Sequence, residues 1–400
     1  MDSIYLDNNA TTSLLPPVWE AMRPLLTGSL GNPASAHHAG RRARQALEDA
    51  REKTAALLDA HPDEVIFTSG ATEANNLALF GLAGPPPGHL ISSPIEHPSV
   101  AEPLRRLTER GFALDLLPVD TAGVVQADVL PRLLRPETRL VSVMLANNET
   151  GALQPIRELI RRVKGQGSES REDRNASSPA PAPCPLTPAF HCDAAQAVGR
   201  LPVRFHELDV TALTLSAHKF HGPPGVGALL LRRGARLEPQ LWGGHQQRGR
   251  RPGTEPVALA VGLAAALELA EREREARLEH VQRLRRRFLE RLRATAAPVV
   301  LNGPETGGVP HTLNLSFPGC RAESLLMALD LAGVCCSTGS ACSSGSLLPS
   351  PVLQAMGVPD EVLRSAMRFS LSHLLTEAEI DEAARRIAAA VARLRRTDAE

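Results

Sequence analysis

The sequence predicts an α/β fold in which a large, doubly wound and mostly parallel sheet is joined to a smaller α+β domain. Three observations support this prediction. Strand-like and helix-like runs alternate through the first half of the 400 residues. A helical stretch dense in Glu and Arg follows at roughly residues 257–294, and strands and helices alternate again after it. Alternation of this kind is typical of parallel βαβ units, and the length favours two domains over one.

Each predicted element is an apolar run bounded by turn residues. The predicted strands are residues 64–68, 89–92, 140–145, 190–192, 212–216, 226–231 and 312–317. The predicted helices, besides the long stretch, are residues 45–58, 71–82, 156–163, 322–331 and 377–395. Residues 165–189 are polar and then rich in proline. We predict a solvated, disordered insertion there.

Composition excludes several classes of protein. The 44 basic and 44 acidic residues cancel, so no net charge favours nucleic acid or an anionic membrane. No apolar run is long enough to span a bilayer, and the N-terminus lacks the pattern of a secretory signal. We therefore expect a cytoplasmic protein. Its six cysteines should be reduced, and the question is whether one of them is reactive.

A lysine follows the predicted strand 212–216 in the segment Ser-Ala-His-Lys-Phe-His-Gly. Lys219 is one of three lysines in a chain with 41 arginines. An amine in this Gly/Pro turn could form a Schiff base with an aldehyde cofactor, and partial desolvation would make it nucleophilic. A surface lysine in a turn is the ordinary alternative.

A phosphate site is indicated by Thr-Ser-Gly-Ala-Thr-Glu (68–73), between a strand and a helix. Amide groups of Gly70, Ala71 and Thr72 could hold an anion at the start of that helix. Asp193 ends another predicted strand, where a buried carboxylate needs a partner such as a protonated pyridoxal nitrogen. Gln196 lies one helical turn later and could reach the phenolic oxygen. Helix capping is the alternative explanation for these residues.

His97 follows a strand in Glu-His-Pro and could stack on a cofactor ring and carry protons, although a lone histidine is more often structural.

Cys342 lies in a segment of Ser, Thr, Gly and Ala, which indicates mobility rather than core packing. A flexible linker with a free thiol is the alternative, and zinc is disfavoured because paired CxxC units are missing. Arg368 could bind a substrate carboxylate through two hydrogen bonds, or be one more surface arginine.

Together these motifs resemble the class I cysteine desulfurases of iron–sulfur cluster assembly, which are fold-type I pyridoxal-phosphate enzymes. Matching stretches extend over nearly the whole chain. They are YLDNNATT (5–12), GNPASAH (31–37), SGATEANN (69–76), EHP (96–98), NNETG (147–151), DAAQ (193–196), SAHK (216–219), RPGTE (251–255), GSACSSGS (339–346) and RFSLS (368–372). The insertion at 165–189 and Pro252 depart from the family pattern.

The resemblance implies a role for each matching residue. Lys219 would form the Schiff base, Asp193 would pair with the pyridinium, His97 would stack on the ring, and Cys342 would take the sulfur as a persulfide. The other cofactor contacts would be Ala71, Thr72, Gln196, Ser216, His218 and, from the second subunit of a homodimer, Thr254. Substrate contacts would be Asn148, Arg368 and, less strongly, Asn32. No metal site is implied, except that Cys342 could bind an iron–sulfur cluster transiently.

The resemblance further implies a large cofactor-binding domain of residues 13–256. A smaller domain would combine residues 1–12 with 257–400 and carry the cysteine loop 335–346. L-Cysteine would be the substrate, and sulfur-acceptor or scaffold proteins would be partners. Three alternatives stay open at this point: a selenocysteine lyase, an aminotransferase, and a catalytically silent sulfur carrier or scaffold subunit.

Overall fold

A computed structural model of the chain describes residues 3–28, 31–172, 187–339 and 349–397. The strands are β1 (Ile4–Tyr5), β2 (Val65–Thr68), β3 (Gly88–Ser92), β4 (Phe112–Leu116), β5 (Thr138–Ser142), β6 (Ala189–Asp193), β7 (Ala212–Ser216), β8 (Gly227–Leu231), β9 (Val300–Leu301), β10 (Thr312–Ser316), β11 (Val334–Cys335) and β12 (Ala366–Ser370). The α-helices are α1 (Pro16–Thr27), α2 (His38–Leu57), α3 (Ala71–Ala83), α4 (Pro98–Glu109), α5 (Leu130–Leu133), α6 (Ile156–Glu172), α7 (Phe205–Leu208), α8 (Val257–Arg272), α9 (Arg274–Thr295), α10 (Ala322–Leu331), α11 (Pro351–Ala355), α12 (Asp360–Leu363) and α13 (Glu377–Thr397). None of the helices in these ranges is both long and apolar enough to cross a membrane.

The larger sheet has seven strands in the order β2-β8-β7-β6-β5-β3-β4. The central pairs from β7 to β4 are parallel, and β8 is antiparallel to both of its neighbours. Helices cover both faces, since adjacent residues of β2 point into different cores: Ile66 packs with residues of α3, and Phe67 packs with residues of α2 and α8. The predicted α/β fold class is therefore confirmed.

The remaining elements form a second apolar core. Strands β12, β10 and β9 make an antiparallel sheet, and β1 pairs in parallel with β11. Residues of α9, α10 and α13 pack together with these strands, including Phe288, Phe317, Phe369 and Ile387. The N-terminal residues Ile4 and Leu6 are buried in this second core. The predicted domain boundary at residues 256 and 257 stays a prediction.

Two sequence-based predictions need correction. The helical stretch at 257–294 is two helices, because Glu273 has non-helical backbone angles. Helix α8 buries its apolar residues in the core of the large sheet that contains Phe67, whereas α9 buries its own in the second core. One straight helix could not pack against both cores. The insertion was predicted to begin at residue 165, but α6 continues to Glu172 since no proline interrupts it before residue 179. Its other end was also misplaced, because Ala189 begins β6; residues 173–186 lie outside the described ranges.

Candidate active site

A cleft of about 990 Å³ opens where β5, β6 and β7 end at their carboxyl termini. Ligands of doubly wound sheets bind at this edge. Nine residues singled out in the sequence line the cleft together: Ala71, Thr72, His97, Asn148, Asp193, Gln196, Ser216, His218 and Lys219. They come from five separate motifs spread over about 150 residues of chain. Their convergence is the main observation on which a functional assignment can rest.

Lys219 lies in the short helical turn that follows β7. Its amine donates hydrogen bonds to the carbonyl oxygens of Asn9 and Ala10, the latter at 2.9 Å. These carbonyls belong to the N-terminal segment, which Thr12 fastens to the same turn by donating to the His218 carbonyl at 2.9 Å. Two backbone carbonyl groups of the N-terminal segment therefore help to orient the amine at the cleft.

The start of α3 forms one wall of the cleft. Gly70 precedes the helix with φ 157° and ψ −178°, angles that side-chain-bearing residues rarely adopt. A Cβ atom on Gly70 would make only an ordinary contact, 3.7 Å from the Ser216 Oγ, so the backbone angles rather than a lack of space favour glycine here. The first amide groups of a helix have no partners within it and favour an anion. Ala71, Thr72 and Ser216 thus surround a position suited to a phosphate.

Asp193 ends β6 and is buried, with 6% of its surface exposed. Its Oδ2 accepts a hydrogen bond from the Asn75 side chain at 2.7 Å, and its Oδ1 accepts one from the Ala195 amide at 2.9 Å. Two donors from different elements therefore fix the orientation of this carboxylate at the cleft.

His97 is the N-cap residue of α4, and its Nδ1 accepts a hydrogen bond from the Ser99 amide at 3.1 Å. The Ser99 Oγ accepts from Asn75 at 2.8 Å and stands 2.8 Å from the same Nδ1. Burial lowers the pKa of His97. The negative charge of Asp193 opposes this shift, and the positive charges of Lys219 and Arg368 add to it. A neutral ring whose Nδ1 accepts carries its proton on Nε2, and we assign that tautomer to His97.

Gln196 and His218 also contact the N-terminal segment. The Gln196 side chain donates to the Asn9 carbonyl at 3.1 Å and accepts from Arg200 at 2.8 Å. Burial, together with the charges of Lys219 and Arg200, lowers the pKa of His218 to about 4. This shift favours the uncharged form of His218.

Arg368, on β12, is 2% exposed and adjoins the cleft through Asn148. Its guanidinium donates to the Asn148 carbonyl at 3.2 Å and to the Asp7 carboxylate at 2.8 Å. Its Nε is buried and has no partner within the described part of the chain. A buried donor in this state is costly, so Arg368 is suited to receiving an anionic group such as a carboxylate.

Besides Arg368, which adjoins the cleft, three predicted site residues are not among those lining it. Asn32 caps its own turn by accepting from the Ala34 amide at 2.9 Å. Thr254 is exposed, in a loop tied to helix α3 by the ion pair of Arg251 with Glu73 at 2.6 Å. Cys342 lies outside the described residues. The roles of all three stay predictions.

Sequence reasoning missed three residues that organise the cleft. Asn75 connects Asp193 to the Ser99 and His97 pair, and Asn9 supplies a carbonyl acceptor to Lys219. Glu96 is buried beside Asp193, and burial raises the pKa of its carboxyl to about 8. All three stand inside the quoted motifs, so their presence could have been noticed; their partners could not, since these come from distant segments.

The cleft fits pyridoxal 5'-phosphate in each of its parts. An amine suits the aldehyde, a buried and oriented carboxylate suits a protonated ring nitrogen, and a helix start lined with small polar residues suits a phosphate. A neutral imidazole on the same wall suits the face of an aromatic ring.

Comparison with known proteins agrees with this geometry. The Aminotransferase class-V family matches residues 4–170 and 188–383. The cysteine desulfurase IscS of Dictyoglomus turgidum is 43% identical over 381 residues, covering 94% of this chain and 92% of its own. The chain belongs to the cysteine desulfurase family. This confirms the resemblance drawn from the motifs and, with it, pyridoxal phosphate as the cofactor and the assignment as a cysteine desulfurase enzyme.

Solved structures support the same family. A NifS-like protein superposes with a TM-score of 0.87 at 36% identity, covering 97% of this chain and 98% of that one. A structure of SspA in complex with cysteine superposes with a TM-score of 0.79 at 31% identity, covering 93% of this chain and 99% of SspA. The cysteine desulfurase fold is thus matched over nearly the full length of the chain.

Proposed function

We propose that this cysteine desulfurase converts L-cysteine to L-alanine and collects the sulfur as a persulfide on its own Cys342. The observation that carries the proposal is the convergence of Lys219, Asp193 and His97 on one cleft. Pyridoxal phosphate supplies an electron sink for the α-carbon of a bound amino acid. The rest of the reaction falls to side chains of this chain.

The substrate end of the cleft is suited to an amino acid. Arg368 is the group we assign to the α-carboxylate, because its buried Nε is free within the described part of the chain and its other nitrogens are held by Asn148 and Asp7. The Lys219 amine is the base that removes the α-proton. Asp193 keeps the ring nitrogen protonated, and Nε2 of His97 is the donor that returns a proton from the ring face.

Sulfur transfer requires an accessible thiol that ionises readily, and neither Cys192 nor Cys336 offers one. Cys192 is fully buried, and burial raises its thiol pKa; burial raises the pKa of Cys336 to about 12. Cys342 stands among small polar residues and matches the family motif. We assign to it the attack on the substrate sulfur: an S–S bond forms, the C–S bond breaks, and the carbon product takes up protons to become alanine.

The test is mass spectrometry of the holoenzyme after addition of L-cysteine under non-reducing conditions. We expect one extra sulfur atom on the peptide that contains residue 342, with an equal amount of alanine released. A Cys336→Ala variant serves as a matched control and should gain the same sulfur atom. Sulfur on another cysteine, or alanine without any persulfide, would overturn the assignment.

We further propose the finer context in which the enzyme acts. The chain forms a homodimer in which Thr254 of each subunit serves the other subunit's phosphate site; the exposure of Thr254 in a single chain supports this. It acts in the cytoplasm and passes its sulfur to acceptor or scaffold proteins of iron–sulfur cluster or other sulfur-transfer pathways. Comparison of the masses of the native and denatured protein tests the dimer.

A further inference from the structure

A buried carboxylate beside the cleft has no part in the proposed chemistry. Glu149 is 5% exposed, and burial raises the pKa of its carboxyl group. The hydrogen bond from Ser350 and the positive charge of Arg368 lower the pKa by less than burial raises it. It adjoins Asn148, whose carbonyl accepts from Arg368 at 3.2 Å. Burial of a carboxyl group costs free energy unless the group is hydrogen-bonded or paired with a charge. The contacts of Glu149 indicate which part of the structure its carboxyl group serves.

The backbone around Glu149 is held rigidly. The Asn147 side chain accepts from the amides of Glu149 and Thr150, both at 2.9 Å, and donates to the Ile95 carbonyl at 2.9 Å. The turn closes with a hydrogen bond from Gly151 to the Asn147 carbonyl at 3.0 Å. The turn that carries Glu149 is therefore held at both ends by hydrogen bonds.

Two residues far along the chain meet the same oxygen of Glu149. The Ser350 hydroxyl donates to Oε2 at 2.6 Å and also caps α11 by accepting from the Leu353 amide. Gly339 packs against this oxygen so closely that a Cβ atom there would stand 2.2 Å from it. One carboxylate oxygen thus contacts Gly339 and Ser350 at once.

Gly339 and Ser350 stand on either side of Cys342 in the sequence, three residues before it and eight residues after it. We propose that Glu149 is a positioning residue for sulfur transfer: by contacting both Gly339 and Ser350 beside Arg368, it fixes the positions of two described residues that flank Cys342 in the sequence. This inference rests on the proposed role of Cys342. Glu149 does not touch the reacting atoms, so its loss should slow persulfide formation while cofactor and cysteine still bind.

The experiment compares three readouts in the Glu149→Ala holoenzyme: the cofactor absorbance, the cysteine concentration that half-saturates the substrate-induced spectral change, and the single-turnover rate of persulfide formation on the residue 342 peptide. We expect the first two to stay within about twofold of the unmodified enzyme. The third should fall by at least tenfold. A variant of another buried carboxyl away from the cleft, Glu64→Gln, is the matched control and should leave all three unchanged.

A variant of Ser350 tests the same contact independently. Removal of one hydroxyl group disturbs the fold less than removal of the whole Glu149 side chain, so this variant remains informative if Glu149→Ala fails to fold. Ser350→Ala should slow persulfide formation in the same way, Ser350→Thr should restore it, and the double variant with Glu149→Ala should be no slower than Glu149→Ala alone. An unchanged persulfide rate in Ser350→Ala, or an equal loss of cofactor, cysteine binding and persulfide in Glu149→Ala, would overturn the inference. Failure of the unmodified enzyme to form any persulfide on Cys342 would instead refute the proposed function.

Discussion

Asn75 donates one hydrogen bond to the Asp193 carboxylate at 2.7 Å and another to the Ser99 hydroxyl at 2.8 Å. Ser99 in turn stands 2.8 Å from the His97 Nδ1. One amide on α3 therefore orients both of the residues assigned to the cofactor ring, one for its nitrogen and one for its face. We infer that Asn75 positions the cofactor ring indirectly, through Asp193 and His97.

Asn75→Ala should weaken cofactor binding about tenfold, because a lost hydrogen bond to a charged group costs roughly 1.5–3 kcal/mol, part of which a water molecule can replace. Titration of the cofactor-free protein by absorbance measures this. Asn76→Ala is the control on the same helix and should leave the affinity unchanged, since the Asn76 side chain donates to the Thr72 carbonyl one turn earlier in the helix. Equal affinities for the two variants would contradict the role of Asn75.

Lys219→Ala should abolish both the Schiff-base absorbance and all turnover, because no other described lysine lines the cleft. Absorbance spectra and an assay for alanine measure the two effects. Lys164→Ala is the control, since Lys164 pairs with Asp209 at the surface. A fully active Lys219→Ala enzyme would refute the lysine assignment.

Cys342→Ala should retain the cofactor and its spectral response to cysteine but form no persulfide. The reason is that the thiol is assigned to the step after α-proton removal. Comparison of rates on cysteine and selenocysteine extends the test, since selenide can leave without an enzyme thiol. Normal desulfuration of cysteine by this variant would refute the sulfur-acceptor assignment.

Asp7→Ala should raise the KM for cysteine about tenfold and change kcat less. Asp7 holds the Arg368 guanidinium at 2.8 Å, and loss of the partner lets the arginine adopt other orientations before it meets a carboxylate. Steady-state kinetics separates the two constants. Glu20→Ala removes an exposed partner of Arg23 and should leave both constants unchanged. A fall in kcat with constant KM would argue against the positioning of Arg368 by Asp7.

Glu96 should make folding stability depend on pH. Its pKa is about 8 in the folded chain against an ordinary value of 4.5. Between these values the folded state binds a proton that the unfolded state releases, so this contribution falls as pH rises and is lost above about pH 8. The Tm of the cofactor-free Glu96→Gln variant, minus that of the unmodified protein, should therefore be larger at pH 9 than at pH 5. A difference that does not vary with pH would show that Glu96 does not titrate in this range.

The sequence indicated the site well where a motif coincides with a strand end. Asp193, Ser216 and His97 follow buried apolar runs, and parallel strands bring their carboxyl ends to one edge, so their meeting could be predicted. The fold class followed from the same alternation of runs. The start of the insertion was less predictable, because residues 165–172 are polar yet compatible with helix.

Contacts between distant segments could not be predicted from local pattern. Asp7 and Arg368 are 361 residues apart, and nothing in either motif identifies the other as its partner. The same holds for Glu149 and Ser350, which are separated by 201 residues. Such pairs depend on how the two cores are packed together, which local periodicity does not report.

The N-terminal segment connects the two halves of the molecule at the catalytic lysine. Ile4 and Leu6 are anchored in the second core, whereas the carbonyls of Asn9 and Ala10 accept from the Lys219 amine. A rotation of the second core relative to the large sheet would therefore pull directly on the acceptors of that amine. If substrate binds at Arg368 and Lys219 is the base, as we propose, this segment gives substrate binding a mechanical path to the base.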